Sequence, residues 1–271
     1  MFDIKHDDYI FASPEFLKDR LLFDVMWYAR EGAEILKSDC KSFVICRTNE
    51  NFPAVVWTDD DISQKDFDCL AFCLKQTFRG KVPYFMVKEN QAERVKGVFN
   101  PLKQESCTGL VAYVMDKPTS IKVSGTLRAA ETFRVAEVRD TDTLVGFIRG
   151  FQTDCFGNPA SDEEIRLLAE KRVSSPDSYV FEADGKTVGM LYCGRKSEGY
   201  CRIGMVYIAP EYRSKGYGLS MVKQGCERII AEGFIPNLFA DAANPVSNHV
   251  YLKTGFREVG RIAEIKMNGV Q

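Results

Sequence analysis

The sequence predicts an α/β (α+β) fold in which a mixed central sheet is flanked by helices, arranged as two halves. Three observations carry this. Short apolar runs bounded by turn residues alternate with segments whose apolar residues recur at helical spacing. The order β-β-α-β-α-β occurs twice. Between the two occurrences lies a stretch without periodicity that holds Pro118, Ser120, Ser124 and Gly125.

Residues 15–37 are predicted to form one helix, because Leu17, Leu21, Val25, Tyr28 and Ala29 recur at helical spacing behind Pro14. Strands follow at 43–47 and 54–58, separated by Asn51, Phe52 and Pro53. A helix over 63–78 presents Phe67, Leu70, Leu74 and Phe78 on one stripe and stops at Gly80. A strand at 84–88, a helix at 91–99 and a strand at 110–115 complete the first half. The unpatterned stretch 116–131 is the expected linker. It separates an N-terminal α/β domain, 1–125, from a C-terminal domain, 126–271.

In the second half, 133–138 reads as a strand and 140–151 as a helix with Leu144, Phe147, Ile148 and Phe151 aligned. A helix at 162–172 precedes strands at 178–182 and 187–192. Asp184-Gly185 joins these strands, a pair that tolerates the positive φ of a tight hairpin. A strand over 200–208 leads into a helix at 216–232 whose buried stripe is Leu219, Val222, Cys226 and Ile229, with Gly233 placed to stop it. A strand at 238–241, a helix at 245–253 and a strand pair over 256–267 finish the chain. The shared element order reads either as a worn internal repeat or as two unrelated layers with a common arrangement.

Composition narrows the function. Of 271 residues 45% are hydrophobic and 27% charged, as in an ordinary globular protein, and the net charge is −2. No basic excess marks a nucleic-acid surface. No run approaches the roughly 20 apolar residues of a membrane span, and the polar N-terminus has no secretory pattern, so a cytoplasmic protein is expected. The nine cysteines include no CxxC pair. Cys69 and Cys73 share a helix face but lack a second pair, so buried thiols in a reducing compartment, and no metal site, are expected.

The chemistry concentrates in Val206-Tyr-Ile-Ala-Pro-Glu-Tyr-Arg-Ser-Lys-Gly-Tyr-Gly218. A strand ends at Ala209-Pro210 and a helix opens at Gly216. The first turn of a helix has N–H groups without partners and partial positive charge. Glycines at 216 and 218 let a ligand approach the backbone, and Arg213 and Lys215 add full charge. The product is a cradle for phosphate or pyrophosphate. Neither GxxxxGK[ST] nor GxGxxG is present. A second segment, Asn244-Pro-Val-Ser-Asn248-His-Val-Tyr251-Leu-Lys-Thr-Gly255-Phe256, reads locally as a capped helix with proline at its first position and a glycine stop. Capping accounts for Asn244 and Gly255 but not for a tyrosine seven residues after Asn244.

Together the two segments resemble the GNAT superfamily of acetyl-CoA-dependent N-acetyltransferases: the first matches its R/Q-x-x-G-x-G/A pyrophosphate loop, the second its later Asn…Tyr…Gly-Phe motif. The resemblance covers roughly residues 131–268. It implies that Met205, Val206, Tyr207 and Ile208 lie on a strand that splays from its neighbour and pairs with the pantetheine arm of coenzyme A. Arg213, Ser214, Lys215, Gly216, Tyr217, Gly218 and Leu219 would hold the pyrophosphate. Arg213 and Lys215 would meet the 3′-phosphate, remain in solvent or, for Arg213, brace the loop. Asn244 or Asn248 would bond the pantetheine. Tyr251 would be the general acid that protonates the departing thiolate as an amine attacks the thioester, a role that suits a phenol of pKa about 10. The implied co-substrates are acetyl-CoA and an amine, expected to be a small molecule.

Many relatives carry a Glu on the strand before the loop. Tyr200–Ile208 has no carboxylate, so the base is open among Glu182, Asp241, Glu198 and a water relay. His249 reads as a surface residue, and Cys193 and Cys201 are remote candidates for an acyl-enzyme. The equivalent stretch of the first half, Trp57-Thr-Asp-Asp-Asp61, is acidic and would repel a pyrophosphate. That half is expected to be a degenerate GNAT-like copy without coenzyme A. The alternative to an enzyme is an acyl-CoA-binding or protein-interaction module built on the same shell.

Overall fold

The computed structural model describes residues 2–100, 102–115 and 131–268; the expected linker, 116–130, lies outside them. Contacts divide the chain into two compact units. The first is Met1–Ala112 with Asp241–Ala243 and Val259–Gln271, and the second is Tyr113–Ala240 with Asn244–Glu258.

In the first unit, β1 (Phe2–Asp3) is followed by α1 (Pro14–Lys18), α2 (Asp24–Ala29) and β2 (Ile35–Ser38). β3 (Phe43–Arg47) and β4 (Ala54–Thr58) form a hairpin on β2, all antiparallel. The helix α3 (Gln64–Thr77) carries the chain back to β5 (Tyr84–Lys88), which joins β4 in parallel; a parallel neighbour requires such a crossover. α4 (Ala92–Val98) and β6 (Gln104–Met115) follow. Both faces of β3 and β4 are buried. Phe43, Ile45 and Val56 pack on Phe67, Leu70 and Leu74 of α3. On the other face the Trp57 ring lies 5.3 Å from Phe16 of α1, and its Nε1 donates to Asp19 Oδ2 at 2.8 Å.

The single helix expected over 15–37 is in fact two short helices and a strand. A buried Arg20–Asp24 pair at 2.7 Å stands where the first helix stops and the second begins. Ile35–Ser38 finds a partner in β3. Pairing in the sheet outweighs the helical spacing of a few leucines.

The second unit contains β7 (Glu131–Val135), α5 (Thr141–Phe156), α6 (Asp162–Val173), β8 (Ser178–Ala183), β9 (Lys186–Ser197), β10 (Tyr200–Ile208), α7 (Tyr217–Ala231), β11 (Ile235–Asp241) and α8 (Pro245–Thr254). Strand order is β11-β10-β9-β8-β7. β10 and β11 run parallel and the other pairs antiparallel. Asp184 and Gly185 close the β8–β9 turn with φ of 51° and 74°, as expected of Asp-Gly. Leu144 and Ile148 of α5 and Ile165 of α6 pack on Val180, Met190 and Tyr207. On the opposite face Gly225 of α7 lies close against Leu191. Adjacent Met190 and Leu191 therefore face the two helical layers in turn.

β12 (Phe256–Met267) is one continuous strand rather than the expected pair. From Val259 it belongs to the first unit, where Ile262–Lys266 pairs antiparallel with β5 and buries Ile265 in the α3 core. The sequence boundary at 125/126 puts this segment with the second half.

Candidate active site

β10 holds β11 over only three residue pairs, Tyr200–Ile235, Cys201–Pro236 and Arg202–Asn237, although both strands continue. Among the described residues, the β11-facing edge of β10 has no strand partner beyond Arg202. On its other edge β10 stays with β9, but the register shifts between Gly204 and Tyr207: Met205 and Val206 oppose Leu191 alone. This is a β-bulge, and Met205 takes a φ of 51° in it. An extra residue turns peptide groups out of the ladder at the place where the strands part. Met205, Val206 and Ile208 are half-buried, whereas the Tyr207 side chain is core, its ring 5.7 Å from that of Phe147 and tilted to it. This stretch therefore presents backbone to the gap.

The chain then turns at Pro210–Tyr212 and enters α7. Ser214 and Gly216 have φ of 62° and 85°, and Gly216 is the helix N-cap with no side chain satisfying the first turn. The first intrahelical bond is donated by Ser220 N to Gly216 O, so the N–H groups of Tyr217, Gly218 and Leu219 have no helical acceptor. No acid lies in that turn. A Cβ at Gly216 would meet nothing within 4 Å. Lys215 is exposed, with its ammonium 5.4 Å from the Tyr212 ring. Arg213 donates Nε to Ile208 O at 2.9 Å and Nη2 to Asp154 Oδ2 at 2.6 Å. Its guanidinium thus ties the loop to β10 and α5, the bracing role among those expected of it. Tyr217 is buried beside Phe181, leaving its backbone for a ligand.

α8 begins at Asn244, whose Oδ1 accepts from Ser247 N at 3.1 Å, and ends at Gly255 with φ of 104°. Both caps are as read from the sequence. Asn248 is half-buried and accepts from the Tyr113 hydroxyl at 3.2 Å. Tyr251 is 7% exposed, its ring 5.9 Å from Tyr113 and 6.1 Å from Phe256. Burial pushes its phenol well above the ordinary value, and neighbouring Cys155 and Tyr113 act in the same direction. Tyr113 thus joins Asn248 to Tyr251. Sequence reading passes over it, since a tyrosine in an apolar strand gives no local signal.

Residues 151–256 match the model of the Acetyltransferase (GNAT) family. The second half of the chain carries a GNAT acetyltransferase domain. That makes the protein an acyltransferase. Its structure is similar over nearly its whole length to solved ones. A GCN5-related N-acetyltransferase from Sphaerobacter thermophilus is 11% identical, with 98% of this chain and 94% of that one covered at a TM-score of 0.65. A GNAT-family acetyltransferase from Colwellia psychrerythraea is 12% identical, with 96% and 93% covered at 0.62. A GCN5-related N-acetyltransferase from Kribbella flavida is 13% identical, with 84% and 88% covered at 0.55. At such identities these likenesses speak for the fold alone. No curated protein matches by sequence.

Within the GNAT domain the carboxylates considered as bases are placed as follows. Glu182 accepts from Arg134 Nε at 3.0 Å and Nη2 at 2.6 Å, within a network that also holds Asp140. Glu198 lies with Gly199 at the β9–β10 turn, the end of β10 remote from the loop. Asp241 Oδ1 accepts from Ala243 N at 2.8 Å. His249 is exposed. Cys193 and Cys201 are buried, and burial pushes the Cys201 thiol up to about 12 and that of Cys193 further, which keeps both protonated and unreactive.

Among its described residues the first unit has no comparable cradle. α3 is capped by its own Ser63, whose Oγ accepts from Asp66 N, and Asp66 sits in the first turn. Of the preceding acids, Asp60 pairs with Lys18 at 3.0 Å and with Lys88 at 2.5 Å, and Asp59 with Lys18 at 3.4 Å.

Proposed function

We propose that the second unit transfers an acetyl group from acetyl-CoA to a primary amine on a small molecule, with Tyr251 as the general acid. One observation carries this: a helix opened by Gly216, whose first-turn N–H groups have no helical acceptor, directly follows a strand that parts from its neighbour at a bulge. Together they offer an anion cradle and an unpaired strand edge, the two requirements for a phosphate-bearing, amide-containing arm.

Acetyl-CoA supplies the acetyl group as a thioester, from which the amine nitrogen displaces the thiolate directly. Tyr217, Gly218 and Leu219 donate backbone N–H groups to the pyrophosphate. Met205 to Ile208 bind the pantetheine amides as an added strand would. Asn244, with Oδ1 engaged in the cap, has Nδ2 to donate to the same arm, and Asn248 lies one turn further along α8. Tyr251 holds its proton at Oη until the sulfur leaves. Because burial raises its pKa, the phenol stays protonated across the neutral range, so a fall in rate at mildly alkaline pH belongs to another group. Proton removal from the amine falls to water, since β10 has no carboxylate. That absence also favours a second reading, an acyl-CoA-binding module without turnover. The first unit is a GNAT-like copy that has lost the cradle and supports the catalytic unit. The nine cysteines, all free, fit a reducing cytoplasm.

Thermal unfolding with and without acetyl-CoA tests the reading. At 100 times the dissociation constant the ligand adds about 2.7 kcal/mol. Gly216→Ala costs about 1–2 kcal/mol because φ is positive there, and Gly216→Glu costs the same and also abolishes the ligand effect. Thiol release with an amine panel then separates enzyme from binder. Tyr251→Phe should lower kcat about 10²–10⁴-fold and leave acetyl-CoA affinity unchanged. An unchanged kcat removes Tyr251 from the chemistry, and no stabilisation of the wild type removes acetyl-CoA.

A further inference from the structure

A small, mostly apolar pocket lies on the α5/α6 face of the second unit, beside the bulge. Its lining includes Leu144, Arg172, Ser178, Met190, Tyr192 and Met205, and its volume is about 10 Å³, room for one water-sized atom. The guanidinium of Arg172, near the end of α6, lies 3.8 Å over the Tyr192 ring. That ring is admitted by Gly194, where any Cβ would strike it.

Two donors converge on this pocket. Arg172 Nε and Ser178 Oγ are both buried and have no partner among the described residues, and Ser178 as a whole is 4% exposed. A buried donor without a partner is destabilising, so a ligand atom that accepts from both is favoured there. Arg172 also differs from its neighbours in charge balance. Arg134, Arg149, Arg166 and Arg213 each meet a carboxylate, whereas Arg172 meets none among the described residues. It lies without an ion-pair partner among the described residues at a pocket whose wall includes Met205, the residue at which the proposed pantetheine-binding stretch begins.

We propose that the acetyl acceptor is a small amine bearing a carboxylate, such as an amino acid, and that Arg172 and Ser178 bind one carboxylate oxygen in this pocket. This rests on the acetyltransferase reading above. A single-atom cavity with a cationic Nε and a hydroxyl donor suits one anionic oxygen, and an ammonium would be repelled there. The carboxylate end is held against β8 and β9, and the amine end is left to reach over Met205 toward the parted strands. Arg172 is thereby a specificity residue and takes no part in proton transfer.

The test is calorimetry on the full chain saturated with coenzyme A. Amino acids are titrated alongside their decarboxylated amines and their neutral carboxamides. The expected result is that amino acids bind at least ten-fold tighter than either control, that Arg172→Gln removes the difference, and that Arg172→Lys restores part of it. Ser178→Ala should weaken amino acids alone. An acetyl-CoA-dependent rise in melting temperature reports that each variant is folded. Equal affinity across the three sets, a preference that survives in Arg172→Gln, or no binding by any set overturns the proposal while the acetyl-CoA effect stands. Loss of the acetyl-CoA effect in the wild type overturns the parent reading instead.

Discussion

Arg134 shows what single side chains hold in place. Its guanidinium donates to Asp140 at 2.7 and 2.9 Å and to Glu182 at 2.6 and 3.0 Å, bridging the start of α5 to β8. The Asp140 side chain is 6% exposed. The Arg134 hydrogen bonds hold its carboxyl below the usual carboxylate range, assisted by the Glu137 N–H. Its contribution is complete above the ordinary carboxylate pKa and is lost as pH falls through the depressed folded value. Arg134→Ala leaves that carboxylate buried without its cation, at a cost of about 3 kcal/mol at neutral pH. Urea midpoints measured from pH 2 to 7 should show the variant less stable at pH 7 and converging on the wild type in acid. A constant gap across that range would mean the loss is one of packing. None of this network was legible in the sequence, where Glu182 stood as a candidate base. A carboxylate's partner depends on which strands meet, and no local pattern encodes that.

At the scale of elements, what was legible is what local physics dictates. Proline at the first position and glycine at the end of α8 and the Asp184-Gly185 turn follow from backbone rules that act within four or five residues. The Tyr113–Asn248 bond joins residues 135 apart in sequence, and sequence spacing passed over it, as it did over the break at Arg20–Asp24 and the bulge at Met205. Asn244 sits on both sides of this divide, since its Oδ1 serves the cap while its Nδ2 is the proposed ligand donor. Asn244→Ala should therefore cost about 1 kcal/mol through the lost cap. Asn244→Asp keeps a capping oxygen and removes the donor, so it should retain stability and weaken acetyl-CoA binding. Chemical denaturation paired with acetyl-CoA titration of both variants separates the roles. Full affinity in Asn244→Asp would reduce Asn244 to a cap.

For the whole molecule, the repeated order β-β-α-β-α-β was readable, but the destination of the last strand was not. Element order is local, whereas strand partners are chosen by the tertiary fold. β12 follows α8 of the GNAT domain, yet from Val259 it lies with the first unit and pairs with β5. Ile262, Ala263, Ile265 and Met267 are all at most 3% exposed. Burying side chains of the size of isoleucine and methionine contributes about 1.5–3 kcal/mol each, several kcal/mol in all. That is comparable to the whole stability of a domain. A fragment ending at residue 125 lacks this strand and exposes the β5 edge together with the apolar surface of α3 and α4. Such a fragment should be unfolded or aggregated, and adding a peptide that spans 256–268 should restore structure. Circular dichroism and thermal unfolding of the fragment, alone and with the peptide, are the measurement. A cooperative transition in the fragment alone would show that the first unit needs no strand from the far end of the chain.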